Sequence, residues 1–250
     1  MYINDTYIGF YLLASIIGLF IGQFVDWINN RILENKKIFS REIFSSYRIN
    51  FKPNYILMIL NSIIYIALIY KFGVQDTLIE KLNIIKYMIL TPLLLSVLVI
   101  DYKKQIIPNR LVLTMFEIGL IIAFLFGMSN VAITIDMLLG MIVGALLFVI
   151  ITLIFGLIYG KDSMGLGDIK LIGVLGLYFG ISNIIVISII AFLLGAIMAL
   201  ILILTKKKKL DDNISFGPFI VIASFISIFV PFEILVLVLR NIFTLGNYQG

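Results

Sequence analysis

The stretch IIKYMILTPLLLSVLVIDYKK, residues 84–104, contains the pattern that decides the fold. It is an almost unbroken apolar run that ends at Asp101. Two lysines, Lys103 and Lys104, follow soon after. Runs of roughly 18 or more apolar residues, each long enough to cross about 30 Å of hydrocarbon, recur along the chain. The 250 residues are 62% hydrophobic and only 13% charged. Because no alternating strand pattern is visible, the sequence predicts an all-α integral membrane protein.

Hydropathy predicts about eight transmembrane helices in a single membrane domain, residues 1–250. Most of the 19 basic residues fall in the loops after the first, third, fifth and seventh spans, beginning with a short basic loop at residues 31–52. Basic loops stay in the cytosol, so both termini are expected outside. Gly180, Ser182 and Asn183 provide a turn signal between the sixth and seventh spans. The predicted spans are residues 8–27, 54–72, 84–101, 110–128, 134–158, 168–181, 184–204 and 216–240.

The chain contains neither Cys nor His. This composition excludes disulfides, thiolate zinc sites, Cys–His proteases and the usual Ser–His–Asp triad. Hydrolytic chemistry must then come from carboxylates, Lys, Ser, Tyr or a metal held by oxygen ligands, and no metal site is predicted. The net charge of +5 comes from basic residues whose placement in alternate loops is explained by the membrane topology. Nucleic acid is therefore not an expected partner.

Acidic residues inside or beside apolar runs are the candidates for function, because charge in hydrocarbon is costly. Asp101 closes the third predicted span, and its alternative interpretation is an interfacial acid neutralised by Lys103 and Lys104. Four further acids have no glycine-rich surroundings and are expected to pack helices or lie at the interface without direct chemistry. These are Asp26, Glu117, Asp136 and Glu233.

Asp168 lies in the sequence MGLGDIK, residues 164–170, directly before an apolar helix. A helix N-cap is the alternative interpretation, since Asp is favoured there. Gly165 and Gly167 point to more than a cap, because glycines beside the acid let another backbone or a substrate approach closely.

The predicted topology puts Asp101 and Asp168 at the same cytosolic depth. Two carboxyl groups placed close together cannot both ionise, so they share a proton, as an aspartyl protease requires. Asp101 lies at a helix C-terminus, which disfavours its anion, and Asp168 at an N-terminus, which favours it. We therefore expect Asp168 to act more often as the base and Asp101 more often as the acid, within a pair that titrates as a unit.

Two motifs carry a resemblance to a known family. The sequence DYKKQIIPNRL, residues 101–111, resembles the first signature of the type IV prepilin peptidases, an Asp followed by Pro108 and Asn109. The second, G-x-G-D-x-K, is matched by Gly165, Gly167, Asp168 and Lys170. Two shorter segments also resemble parts of the sequence of this family. They are SFGPF, residues 215–219, and GQF, residues 22–24, with the stretch that follows it to Arg31.

This resemblance implies a GxGD-type aspartyl protease bundle in the bacterial inner membrane. Such a protease cleaves the leader of type IV prepilins or pseudopilins on the cytosolic side, with Asp101 and Asp168 as catalytic residues and the bilayer and the prepilin as partners. Proteolysis requires no cofactor. Many family members also methylate the new N-terminus with S-adenosylmethionine, an activity that goes with a longer Cys-bearing loop. Residues 31–52 replace that loop here without any Cys, and Gln23 and Asp26 depart from the common Ser and Asn.

Two kinds of alternative remain at this point. A presenilin-like protease also has G-x-G-D, but Ile100 precedes the first Asp here and no Pro-Ala-Leu motif follows; a preflagellin-type peptidase shares the mechanism. A proton-coupled transporter would use intramembrane acids too, but it predicts matched internal repeats, which the sequence does not display.

Overall fold

The computed structural model describes residues 2–4, 6–34, 53–74, 77–159, 165–205 and 215–244. Within these ranges, two short antiparallel strands, with Tyr2 opposite Tyr7 and Ile3 opposite Thr6, precede a series of helices. The elements are β1 (Tyr2–Ile3), β2 (Thr6–Tyr7), α1 (Ile8–Leu33), α2 (Tyr55–Phe72), α3 (Leu78–Lys104), α4 (Asn109–Gly127), α5 (Val131–Tyr159), α6 (Leu166–Leu204), α7 (Gly217–Phe229) and α8 (Phe232–Phe243).

The predicted all-helical membrane protein is confirmed, because the described part of the chain contains six helices, α1 to α6, that are long and apolar enough to cross a membrane. The count of about eight spans stays a prediction. The predicted sixth and seventh spans form the single element α6, and the predicted span 216–240 is divided between α7 and α8. Val230 has extended backbone angles before Pro231, which is the conformation that a following proline favours.

α6 contains an interruption at Gly180, where φ is 73° and ψ is −179°. A straight helix of its 39 residues would be about 58 Å long, twice the hydrocarbon thickness. The contacts show that the chain instead doubles back. Ile172 precedes the interruption and Ile184 follows it, yet both lie against Gly144 of α5. If Gly144 carried a Cβ atom, that atom would lie 3.0 Å from the Ile172 carbonyl oxygen and 3.0 Å from the Ile184 Cγ1. The reversal falls where the sequence predicted a turn.

The chain divides into two compact units, Met1–Ser129 and Asn130–Gly250. The single domain expected over residues 1–250 stays a prediction. In the first unit, α1 and α2 approach so closely that a Cβ at Gly18 would lie 2.6 Å from the Cα of Ser62. The Asn61 Nδ2 donates to the Gly18 carbonyl oxygen at 2.9 Å, and the Tyr65 hydroxyl donates to the Met88 carbonyl oxygen at 2.7 Å, which ties α2 to α3.

In the second unit, α5 packs against α6 through glycine backbones. A Cβ at Gly140 would lie 2.6 Å from the carbonyl carbon of Gly180, and one at Gly176 would overlap the Gly140 carbonyl group. Small residues allow this approach, and close packing is the main force between helices in lipid. α8 packs on α6 through Leu235 and Leu239, which contact a cluster around Val186.

Candidate active site

Asp101 lies in the last turn of α3, and its side chain is only 4% exposed. Val97 and Leu94, one and two turns earlier, are also buried, so the acid continues the buried face of the helix. An interfacial acid solvated beside Lys103 and Lys104 would instead be exposed, as both of those lysines are. Burial of a carboxyl group favours a functional interpretation over a solvated one.

The segment after Asp101 is a tight connection between α3 and α4. Gln105 caps α3 in a left-handed conformation, and its N–H donates to the Asp101 carbonyl oxygen at 2.8 Å. Pro108 is the N-cap of α4 with φ of −65°, the angle that its ring fixes, and its carbonyl oxygen accepts from Leu111 N–H. Asn109 then begins α4. The first motif therefore spans a helix end, a turn and a helix start within the first unit.

Asp168 lies in the first turn of α6 and is 9% exposed. The N-cap is Gly165, whose carbonyl oxygen accepts the Asp168 N–H at 3.0 Å, so the N-cap interpretation of Asp168 is wrong. A Cβ on Gly165 would lie 3.4 Å from the Asp168 Oδ2. The glycine thus leaves space beside the carboxyl group that a side chain at position 165 would fill.

The rest of the second motif lies on the same helix start. Gly167 is the residue before Asp168 in the first turn of α6, and Lys170 follows with an exposed side chain. Met164 lies outside the described residues, as do residues 35–52 of the predicted basic loop. The structure thus brings Asp101, Pro108 and Asn109 together in the first unit and the glycine motif with Asp168 in the second.

A polar cavity of about 460 Å³ opens in the first unit near the end of α3. It contains a carboxylate from α1 and an ammonium group from α3, Asp26 and Lys103, and hydrophobic and amide side chains complete its wall. The lining residues are Asp26, Asn30, Pro53, Asn54, Tyr55, Ile56 and Lys103.

Asp26 is held in this cavity by two amide groups. The Asn54 Nδ2 donates to Asp26 Oδ1 at 2.7 Å, and the Asn30 Nδ2 donates to Asp26 Oδ2 at 3.3 Å. Asn54 is itself fixed, since its N–H donates to the Gln23 Oε1 at 2.9 Å and its Oδ1 accepts from Leu57 N–H to cap α2. The sequence predicted only a packing or interfacial role for Asp26. The bond from Asn54, the N-cap of α2, agrees with a packing role, and the same carboxylate also lines the cavity.

The other elements of the resemblance have packing roles. A Cβ at Gly22 would lie 2.6 Å from the Leu57 carbonyl oxygen, so this glycine allows α1 to meet α2. Arg31 is buried with its guanidinium 5.2 Å from the Trp27 ring centre. In the second unit, Phe216 of the late SFGPF element lies 5.1 Å from Phe192, ring centre to ring centre, within an aromatic cluster.

The segment that contains both aspartates is similar in sequence to a known protein family. Residues 88–200 match the sequence model of the Type IV leader peptidase family. This segment includes both motifs and Lys103, whereas Asp26 and its amide partners lie outside it.

Relatives with the name prepilin leader peptidase/N-methyltransferase extend this similarity. The one from Aeromonas hydrophila is 30% identical over 156 residues, which are 62% of this chain and 53% of that protein. The one from Pseudomonas aeruginosa is 34% identical over 141 residues, 56% and 48% of the two chains. The one from Xanthomonas campestris pv. campestris is 28% identical over 172 residues, 68% and 56%. The chain thus spans about half the length of the curated relatives it matches. No solved structure matches it.

Proposed function

Since residues 88–200 belong to the type IV leader peptidase family, we propose that this chain is a membrane-embedded aspartyl endopeptidase that removes the leader of a type IV prepilin or pseudopilin. The observation that carries the proposal is that both motif aspartates, Asp101 and Asp168, are buried at helix ends inside the family segment. The supporting motif residues are Gly165, Gly167, Lys170, Pro108 and Asn109.

In this mechanism the two carboxyl groups share one proton around a water molecule. Asp168, in the first turn of α6, is the anion that removes a proton from the water as the water oxygen attacks the scissile carbonyl carbon. Asp101, in the last turn of α3, holds the proton that polarises the carbonyl oxygen. The departing amide nitrogen then receives a proton from the pair of carboxyl groups. The pair is left with one shared proton, as at the start. The open space at Gly165 gives the substrate backbone access to Asp168.

The proposed site faces the cytosol of a bacterial inner membrane. Lys103, Lys104 and Arg110 flank the connection after Asp101, and basic residues of this kind mark the cytosolic side. The family match favours this function over a presenilin-like protease or a proton-coupled transporter, both of which the two acids alone would permit.

Intact-mass measurement of a co-expressed prepilin tests the protease. We expect leader removal with the wild-type chain and a rate roughly 10²- to 10⁴-fold lower with either Asp101→Asn or Asp168→Asn. Glu233→Gln is the matched control, because this exposed acid lies outside both motifs. Prepilins that all remain uncut with wild type, across several pilin-like substrates, would contradict the proposal, and so would full cleavage by either Asn variant.

A second activity, methylation of the new N-terminus, is favoured by the cavity of the first unit. Its donor, S-adenosylmethionine, has an α-amino-acid group that carries one ammonium and one carboxylate. The cavity contains groups of opposite charge for each, the Asp26 carboxylate and the Lys103 ammonium, with Asn30 and Asn54 as further hydrogen-bonding partners. These residues fit that end of the donor, which when bound supplies the methyl group. A few placed polar groups of this kind orient a ligand in its pocket.

The same mass measurement separates the two activities. We expect wild type to yield a mature pilin that carries one added methyl group, and Asp26→Ala to yield a cleaved pilin without it. Lys103→Ala should behave like Asp26→Ala, whereas Lys104→Ala, outside the cavity lining, should retain methylation. A mature pilin that lacks the methyl group with every chain, including wild type, would show that this protein is a protease alone.

A further inference from the structure

Glu117 lies in the middle of α4 with an exposed side chain. At 1.5 Å per residue, the helix continues for about 12 Å toward Asn109 and about 15 Å toward Gly127. Both distances exceed the reach of a glutamate side chain, so the carboxyl group cannot extend to the headgroups as a long Lys or Arg side chain does. Among the described residues, no other charged side chain lies in the central third of a helix of spanning length.

The interior of the first unit does not account for Glu117. α4 directs a different face inward, where Met115, Gly119 and Ile122 are buried. A lone carboxyl group that faces hydrocarbon is costly, and intramembrane acids almost always pair with one another or with polar groups. The side chain therefore requires a partner from outside the described chain.

Glu117 lies within an exposed stripe of residues that has the spacing found where two helices pair; we refer to this stripe as the seam. Leu113, Glu117, Leu120 and Phe124 are spaced four, three and four residues apart, and all are exposed. This is the spacing of the apolar stripe in paired helices, with one polar residue within it. A single polar residue in such a stripe fixes the register and the partner.

We propose that this seam, Leu113, Glu117, Leu120 and Phe124, is the interface through which two copies of the chain pair, with the two Glu117 carboxyl groups hydrogen-bonded to each other at the two-fold axis. A second copy fits best because the seam is self-complementary. A neutral carboxyl group has one O–H donor and a carbonyl acceptor, so two of them satisfy each other. In a two-fold interface the same residues meet, and an axis along the membrane normal keeps both copies in the same orientation.

Cysteine cross-linking in lipid vesicles tests the interface, since the chain has no Cys of its own. Leu120→Cys should form a disulfide-linked dimer on mild oxidation. Leu146→Cys is the matched control, an exposed leucine near the middle of α5, and should stay monomeric. In the Leu120→Cys background, Glu117→Gln should preserve cross-linking, because an amide also donates and accepts, whereas Glu117→Leu should reduce it.

Fluorescence energy transfer between labelled copies, measured over a range of protein-to-lipid ratios, gives the size of the effect. Glu117→Leu should weaken the dimer roughly 3- to 30-fold, the range for one hydrogen-bonded contact between membrane helices. Equal cross-linking at Leu120→Cys and Leu146→Cys would show that the disulfides arise from random collision, and it would overturn the proposal. A monomer at every ratio would also overturn it, and disulfides from Leu120→Cys to a co-expressed prepilin that carries an introduced Cys would then assign the seam to the substrate.

Discussion

The Oδ1 of Asp136 accepts a hydrogen bond from the backbone N–H of Ile181 at 3.2 Å. This contact lies at the point where α6 reverses, directly after Gly180, whose positive φ is a conformation that glycine adopts without penalty. A Cβ at position 180 would overlap the Asp136 carboxylate. The contact therefore links the reversal of the helix that begins with Asp168 to the neighbouring helix α5.

Removing the Asp136 carboxylate should loosen this reversal. Asp136→Ala leaves the Ile181 N–H without its acceptor, and because the bond is exposed we expect the free energy of unfolding to fall by about 0.5–1.5 kcal/mol. Asp136→Asn keeps an acceptor oxygen and should lose less. Thermal unfolding in detergent, followed by tryptophan fluorescence or light scattering, measures both variants. Equal stability of Asp136→Ala and wild type would mean that the bond contributes nothing to the turn.

A side chain at Gly176 should damage the packing of α5 on α6. An alanine Cβ would overlap the Gly140 backbone, which cannot move as a flexible side chain can, so Gly176→Ala should cost about 1–3 kcal/mol of stability. Gly165→Ala is the control, because among the described residues the nearest atom to its Cβ would be the Asp168 Oδ2 at 3.4 Å, an ordinary contact. It should fold normally, and any loss of cleavage by this variant reports on the space beside Asp168. The two variants unfolding at the same temperature would contradict this packing.

Much of the fold could be predicted from the sequence because hydrophobic length is a strong signal in a membrane chain. The long helices, the turn near Gly180 and the positions of Asp101 and Asp168 within one turn of a helix end all follow from local sequence. The division of predicted span 216–240 was missed because hydropathy alone treats the segment as one apolar run, and Pro231 was the local signal of the break.

The parts that could not be predicted depend on contacts between distant residues. The hydrogen bond from Asn54 to Asp26 joins residues on separate helices, so hydropathy gave no reason to place Asp26 in a cavity. The pairing of Gly140 with Gly176 likewise depends on the register of two helices. Spacing of small residues along α5 and α6 was the available signal, since such spacing is common at helix contacts in membranes.

The buried amide of Asn29 provides a test of packing near the cavity. It is 1% exposed, and neither its Oδ1 nor its Nδ2 has a hydrogen-bond partner among the described residues. Because an unsatisfied buried polar group is costly, Asn29→Leu should raise the free energy of unfolding by about 1–3 kcal/mol. Asn61→Leu is the contrasting control and should destabilise, since the Asn61 Nδ2 donates to the Gly18 carbonyl oxygen. If Asn29→Leu unfolds more easily than wild type, the amide is satisfied in the native membrane.

The sidedness of the proposed site can be measured with a membrane-impermeant thiol reagent. Tyr102, beside Asp101, is 80% exposed, and Met128, just past the other end of α4, is 74% exposed. The positive-inside rule predicts that Lys103 and Arg110 lie in the cytosol, so we expect Tyr102→Cys to react in inside-out vesicles and Met128→Cys in intact spheroplasts. Ile100→Cys, at a fully buried position, should react in neither. Reaction of Tyr102→Cys from the outside would place Asp101 away from the cytosol, which contradicts a cytosolic site for leader cleavage.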